Sequence, residues 1–333
     1  MRPSLVALLS EVIDYAGLFP PAQLELDPAI RNFARYRKEP SARVLGRFVI
    51  PASKLPALVP YQNELFTESP PARFSALGRG GDTAAQFLEN LDADLAAIGA
   101  FNCSGGERVV VDAMETKLPT DLVRTCDAGA SDAFVSQVCQ RIGGGKLAAG
   151  QHALAFPVFL ECPLLGDWRA GITSIAAGVQ QVNLRRAALG DRTAVGVKLR
   201  TGGLEASAFP SSEQIAFVIK TCRDYEVPLK FTAGLHHPIR RFDPGVRAMM
   251  HGFINLFVAG VLAHAVALEL HDIQGIIDEQ DAREFQFGDA SVAWNEAEAM
   301  IDEIRIARRT RVISFGSCSV DEPLDDLRAL GWT

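Results

Sequence analysis

The chain has 333 residues, 48% of them apolar and 22% charged, which is the composition of an ordinary soluble globular protein with enough apolar residues for a large core. The net charge of −7, without basic runs or interleaved aromatic and basic residues, argues against nucleic acid or an anionic membrane as partner. Six scattered cysteines without a C-x-x-C pair fit reduced thiols better than a disulfide framework or a zinc knuckle.

The apolar run at the start meets Glu11 and Asp14 too early for a signal peptide, so a cytoplasmic location is expected. Ser4 to Val12 has helical spacing, and Ile13 to Phe19 reads as a strand stopped by Pro20-Pro21. Asp27-Pro28 opens a helix toward Lys38. Strands follow at Arg47 to Ile50, with a short helix through Leu58, and at Arg73 to Leu77, with an amphipathic helix from Thr83 to Ile98. Arg108 to Ala113 is the clearest strand of the first half. A helix from Asp121 to Ile142 ends at Gly143-Gly144-Gly145.

Leu154 to Leu160 is a continuous apolar run closed by Glu161, and Trp168 to Ala188 is helical. Ala194 to Arg200 and Leu229 to Thr232 are strands on either side of a helix with a capping box, Ser211 with Gln214. Three helices are expected next, Arg247 to Ala265, Ile273 to Phe285 and Ala293 to Arg309. The stretch from Gly252 to Leu268 contains Asn255 and His264 and is too short and mixed for a bilayer span, so it reads as buried helix. Arg311 to Phe315 is the last strand, and Pro323 to Leu330 a terminal helix.

Eight strands, most at intervals of roughly 25 to 45 residues, predict a (βα)8 barrel with an extended helical region before the eighth. No glycine-, proline- or serine-rich linker divides the chain, so residues 1–333 are expected to form one domain. The apolar strands suit a parallel sheet covered on both faces. Periodicity leaves an open, doubly wound sheet as the alternative.

The chemistry concentrates on the last strands. Lys198 and Lys230 each precede a glycine turn, Thr201-Gly202-Gly203 and Ala233-Gly234. The C-terminal strand ends of a barrel carry its active site, so both amines are expected at one mouth. There Lys230 would lower the pKa of Lys198 by like-charge proximity and make it a nucleophile. Loss of Lys198 would then cost little stability. Asp112 and Glu161, at the ends of apolar runs, are the expected proton carriers. Arg200 and the turns at Gly202, Gly203, Gly234, Gly316 and Ser317 are expected to hold an anionic group. Both lysines paired with carboxylates or an anion, doing no chemistry, is the bland alternative.

KLRTGG, KFTAGLHH and SFGSCS, in that order, resemble the signature of class I aldolases of the deoxyribose-phosphate aldolase type. The resemblance implies a Schiff-base lysine at Lys198 before Thr201-Gly202, a second lysine at Lys230, and phosphate-binding turns at Gly234 and at Phe315-Gly316-Ser317. It places the family's fourth-strand acid on Asp112. The chain departs from the pattern at Arg200, at His236-His237 and in the long region before the last strand. As a whole the chain also looks like an uncharacterised bacterial family.

The expectation is therefore an aldolase-like lyase that acts on a small carbonyl compound, phosphorylated or not, without cofactor or metal. A metal-dependent lyase or hydrolase using His236 with Glu161, Asp112 or Glu115, and a non-catalytic anion-binding barrel, are the alternatives. His236 is otherwise read as a neutral loop histidine that binds substrate or backbone, and Cys318 as a small buried residue or an activated thiol. The partner is expected to be a small molecule, with assembly into a homo-oligomer left open.

Overall fold

The computed structural model describes residues 1–144, 155–191 and 193–332. Seven strands come first: β1 (Ile13–Tyr15), β2 (Leu45–Pro51), β3 (Ala72–Leu77), β4 (Val109–Lys117), β5 (Val158–Glu161), β6 (Val195–Arg200) and β7 (Leu229–Thr232). An excursion carries β8 (Arg241–Asp243), β9 (Ala248–Met250), β10 (Gln286–Phe287), β11 (Ser291–Trp294) and β12 (Ala297–Met300), and β13 (Val312–Ser317) follows. Strands β1 to β7 and β13 close into a parallel barrel in the order β1-β13-β7-β6-β5-β4-β3-β2, with helices alternating along the chain. This is the expected (βα)8 barrel, not an open sheet. Strand starts agree with the sequence reading to within a few residues; Leu154 of the fifth expected strand and Gly145 of the triple glycine lie outside the described residues.

By packing, the chain falls into two compact units, Arg47–Lys198 and Met1–Gly46 with Leu199–Thr333. In the first, Phe74 is the hub of an aromatic cluster. The rings of Phe48, Phe66 and Phe101 meet it edge-on at centroid distances of 6.0, 5.9 and 5.4 Å. All four are buried, each worth roughly 1.5–3 kcal/mol relative to exposure. The helix expected over 121–142 is two, Thr120–Thr125 and Ala128–Gly144. Cys126 breaks it in the left-handed region, and Asp127 Oδ1 restarts it by accepting from Ala130 N at 2.7 Å.

In the second unit, Phe253 and Phe257 of the helix Phe253–Ala265 pack on Phe315 of β13, and Phe257 also on Phe231 of β7. Every residue of that helix from Phe253 to Ala263 is buried. Ser211 and Gln214 form the expected capping box on the helix Ser212–Asp224. The buried Arg308 guanidinium donates to the carbonyls of Leu8, Ser10, Val312 and Ile313, tying the first helix to the start of β13.

The excursion between β7 and β13 departs from the expected three helices. Residues 241–250 form the antiparallel pair β8–β9, and β10, β11 and β12 form an antiparallel sheet where helix was expected from Ala293. The helix there is confined to Ile301–Thr310. The reversal from β11 to β12 uses Asn295 at φ 50°, a conformation that asparagine tolerates better than most residues. Val292 and Ala299, opposite each other, are fully buried, whereas Glu298 is exposed. Among the described residues no helix is long and apolar enough to cross a membrane.

Candidate active site

Lys198 is the fourth residue of β6, between valine and leucine, and its side chain is 3% exposed. A buried ammonium needs counter-charge, and two carboxylates supply it. Glu161, the last residue of β5 and the register partner of Lys198, places Oε2 2.8 Å from Nζ. Glu115 on β4 places Oε2 3.1 Å from the same nitrogen. The other oxygen of Glu115 accepts a hydrogen bond from Ser75 Oγ of β3 at 2.7 Å. Burial pulls the pKa of Lys198 down, but the charges of Glu115 and Glu161 outweigh it, and the ammonium ends above the ordinary lysine value. The resting lysine is thus held charged. The sequence reading expected the opposite direction.

Asp112 is not one of the two carboxylates that pair with Lys198. It is skipped in the pairing of β3 with β4, which runs Phe74 to Val111 and then Ser75 to Ala113. This bulge resets the alternation beyond it. Asp112 instead meets Arg47 of β2 (2.6 Å) and Arg73 of β3 (2.7 Å), both near the start of their strands. Three residues further on, Glu115 supplies the carboxylate beside Lys198. The sequence reading had considered Glu115 only as a metal ligand.

Lys230 on β7 is also buried, and its Nζ lies 2.7 Å from Asp14 Oδ2 of β1. Ser314 Oγ on β13 donates to the same carboxylate oxygen at 2.6 Å. Gly46 leaves the space this carboxylate occupies, because a Cβ there would stand 2.4 Å from Asp14 Oδ1. Asp14 escaped the sequence reading, although a charge inside an apolar strand that is buried on both faces must find a partner.

The glycine turns are built against each other. Gly234, at φ +75°, approaches Gly202 so closely that a Cβ on either would stand 2.7 Å from the Cα of the other. Thr201, fully buried, donates from N to Thr232 O and from Oγ1 to Ala233 O at 2.6 Å, so its hydroxyl joins the two strand ends. Gly203 is half-buried, and Arg200 is exposed at the end of β6. Gly316 leaves room for the Thr232 hydroxyl, and Ser317 Oγ donates to Ser319 O at 2.6 Å.

The paired histidines turn toward the helix Asp321–Ala329. His236 Nδ1 lies 3.1 Å from Glu322 Oε2, and His237 Nδ1 lies 2.6 Å from Asp326 Oδ2. The influence of Cys318 first, and then of Glu322, raises the pKa of His236 to about 9 against the cost of burial. His236 is therefore cationic near neutral pH, not the neutral loop histidine of the sequence reading. Among the described residues, no three or more His, Cys, Asp or Glu side chains are grouped to hold a metal ion. The chain matches no protein-family model and no curated protein.

Proposed function

We propose that this protein is a lyase that acts on a small carbonyl compound through a Schiff base on Lys198, in the manner of class I aldolases. One observation carries the reading: Lys198 Nζ, buried on a barrel strand, sits 2.8 and 3.1 Å from two carboxylates. An ammonium is no nucleophile, so its proton must leave first, and Glu161 or Glu115 stands within hydrogen-bonding distance to take it. The amine then attacks the carbonyl carbon. The same carboxyl returns the proton to the carbinolamine hydroxyl, and water departs. The resulting iminium is again a cation between two carboxylates, so the charges that hold the resting ammonium also hold the electron sink for carbon–carbon cleavage. Glu115, oriented by Ser75, takes the acid–base role that the sequence reading gave to Asp112.

An anionic substituent, such as a phosphate, would be met by Arg200 with the backbone of Gly202, Gly203, Gly234, Gly316 and Ser317. The mutual packing of Gly202 and Gly234 brings two of these backbones together. The test is borohydride reduction in the presence of a panel of small aldehydes and ketones, followed by peptide mapping. The expected result is a reduced adduct on Lys198, absent from Lys198→Arg, whose guanidinium stays protonated. A carbonyl compound that the protein turns over without any adduct at Lys198 would refute the reading.

A further inference from the structure

The loop after β6 ends in a clamp that the lysine chemistry does not use. Phe209, near its end, lies over the crossing of the two glycine turns: a Cβ at Gly202 would stand 2.6 Å from Phe209 Cε1, and one at Gly234 3.0 Å. The residues just after Phe209 are tied to the excursion. His251 Nε2 donates to Pro210 O at 2.8 Å, and Ser212 Oγ donates to Asp278 Oδ2 at 2.9 Å. Arg240 bridges the two ties, with Nη1 2.8 Å from His251 Nδ1 and Nε 3.4 Å from Asp278 Oδ1. Its backbone N–H donates to Asn255 Oδ1, and the buried Asn255 amide donates to the carbonyls of Ile276 and Glu279.

These partners dictate the charge of the ring. A guanidinium can only donate and a carbonyl can only accept, so His251 must carry its single proton on Nε2 and keep Nδ1 as an acceptor. A second proton would set N–H against N–H and cation against cation at Nδ1. We propose that neutral His251 is a positioning residue, which fixes the loop after β6 and with it the turn Gly202-Gly203 that receives the anion. That the turn receives an anion rests on the function proposed above; the clamp itself does not.

The ring is buried. Burial pushes its pKa down to about 4; the hydrogen bond to Pro210 opposes the fall, the charge of Arg240 adds to it, and that of Asp278 offsets part of it. Released from the clamp, the ring returns toward its ordinary 6.5. The clamp is therefore at full strength above about pH 6.5 and weakens as pH falls toward 4, about tenfold for each pH unit.

Hydrogen exchange at Ala208 and Phe209 reads the clamp, because their amides donate to Glu205 O and Ala206 O within the loop. After correction for intrinsic rates, wild type should protect them at least about tenfold less at pH 5 than at pH 7.5. His251→Gln, whose amide can donate to Pro210 O but does not titrate, should keep protection that is the same at both pH values. His251→Phe should lose it at both, with amides of the helix Phe253–Ala265 as the check on folding. Wild type and His251→Gln decide the matter even where His251→Phe fails that check. In His251→Phe the glycolaldehyde phosphate concentration for half-maximal borohydride trapping at Lys198 should rise roughly tenfold, and that of glycolaldehyde should not. Wild-type protection independent of pH, a pH effect that persists in His251→Gln, or equal shifts for both aldehydes would each overturn the proposal. If wild type traps neither aldehyde at Lys198, the Schiff base fails while exchange at Ala208 and Phe209 still decides the clamp.

Discussion

Lys198→Met isolates what the buried ammonium does for the fold. Methionine keeps most of the length and volume and removes the charge. Glu115 and Glu161, 3% and 12% exposed, are then left facing each other across the position Nζ held. Their nearest oxygens are no more than about 6 Å apart, since both lie on the same nitrogen at 3.1 and 2.8 Å. Removing one partner from a buried charge cluster costs roughly 3–5 kcal/mol at neutral pH, because the remaining charges stay buried without compensation. The sequence reading expected almost no cost, on the premise that Lys198 mainly repels Lys230. The sign of the pH effect follows from the same charges. With the ammonium gone, mutual repulsion and burial raise the carboxyl pKa values above those of the unfolded chain, so the folded variant gains protons as pH falls. The variant should therefore recover stability between pH 8 and pH 5. The wild-type lysine, its pKa raised, remains charged throughout that window and contributes no such slope. Urea midpoints at pH 8, 7 and 5, with the slope checked for constancy, measure both effects. A variant within about 1 kcal/mol of wild type at pH 7, with no recovery at pH 5, would show that Lys198 does not compensate these carboxylates.

Asp112→Asn should leave adduct formation at Lys198 unchanged and cost about 1–2 kcal/mol, because Arg47 and Arg73 lose their shared partner; lost adduct formation would return Asp112 to the chemistry. Gly234→Ala should cost at least about 2 kcal/mol, from its φ of +75° and the Gly202 Cα at 2.7 Å, whereas Gly190→Ala, at φ +81° with nothing within 4 Å, should cost only about 1 kcal/mol. Equal losses at the two glycines in thermal or urea melts would disprove the close approach. His236 titrates near 9 when folded, above its ordinary value of 6.5, so its stabilisation is complete below about pH 6.5 and disappears as pH rises through 9. The stability gap between wild type and His236→Asn should close over that window; a gap independent of pH would contradict the influence of Cys318 and Glu322.

The barrel was legible because its strands are continuous apolar runs closed by glycine, proline or a charge, and that signal does not depend on register. Ser211 and Gln214 fixed a helix start in the same local way. The excursion was misread where local signals were short: Ser291–Trp294 and Ala297–Met300 are four residues each, and a run of that length fits a strand or one helical turn equally well. The carboxylates Glu115 and Asp14 were hard to read for a different reason. Asp112 was chosen for its place at the end of an apolar run, but one bulged position in β4 leaves Glu115 as the carboxylate beside Lys198, and nothing in VVVDAMETK marks a bulge. Asp14 meets Ser314, a residue 300 positions away, so its role exists only after the barrel closes.

The Lys198 cluster also bears on why such a group is buried at all. A buried ion cluster contributes little net stability, since desolvation offsets attraction, and well-packed uncharged residues of similar volume do as well or better. Stability alone therefore does not account for Lys198 between Glu115 and Glu161, whereas the Schiff-base chemistry proposed above would use them as proton acceptor and counter-charge. The combined variant Lys198→Met with Glu115→Gln and Glu161→Gln separates the two explanations. It removes all three charges, keeps the volumes, and leaves Ser75 a partner in the glutamine at 115. It should regain most of the roughly 3–5 kcal/mol that Lys198→Met alone loses, because no unpaired charge remains buried. It should form no borohydride adduct. If its urea midpoint stays as low as that of Lys198→Met, the cluster is needed for the fold and the case for a catalytic purpose weakens; if the midpoint recovers while trapping is abolished, the charges serve chemistry.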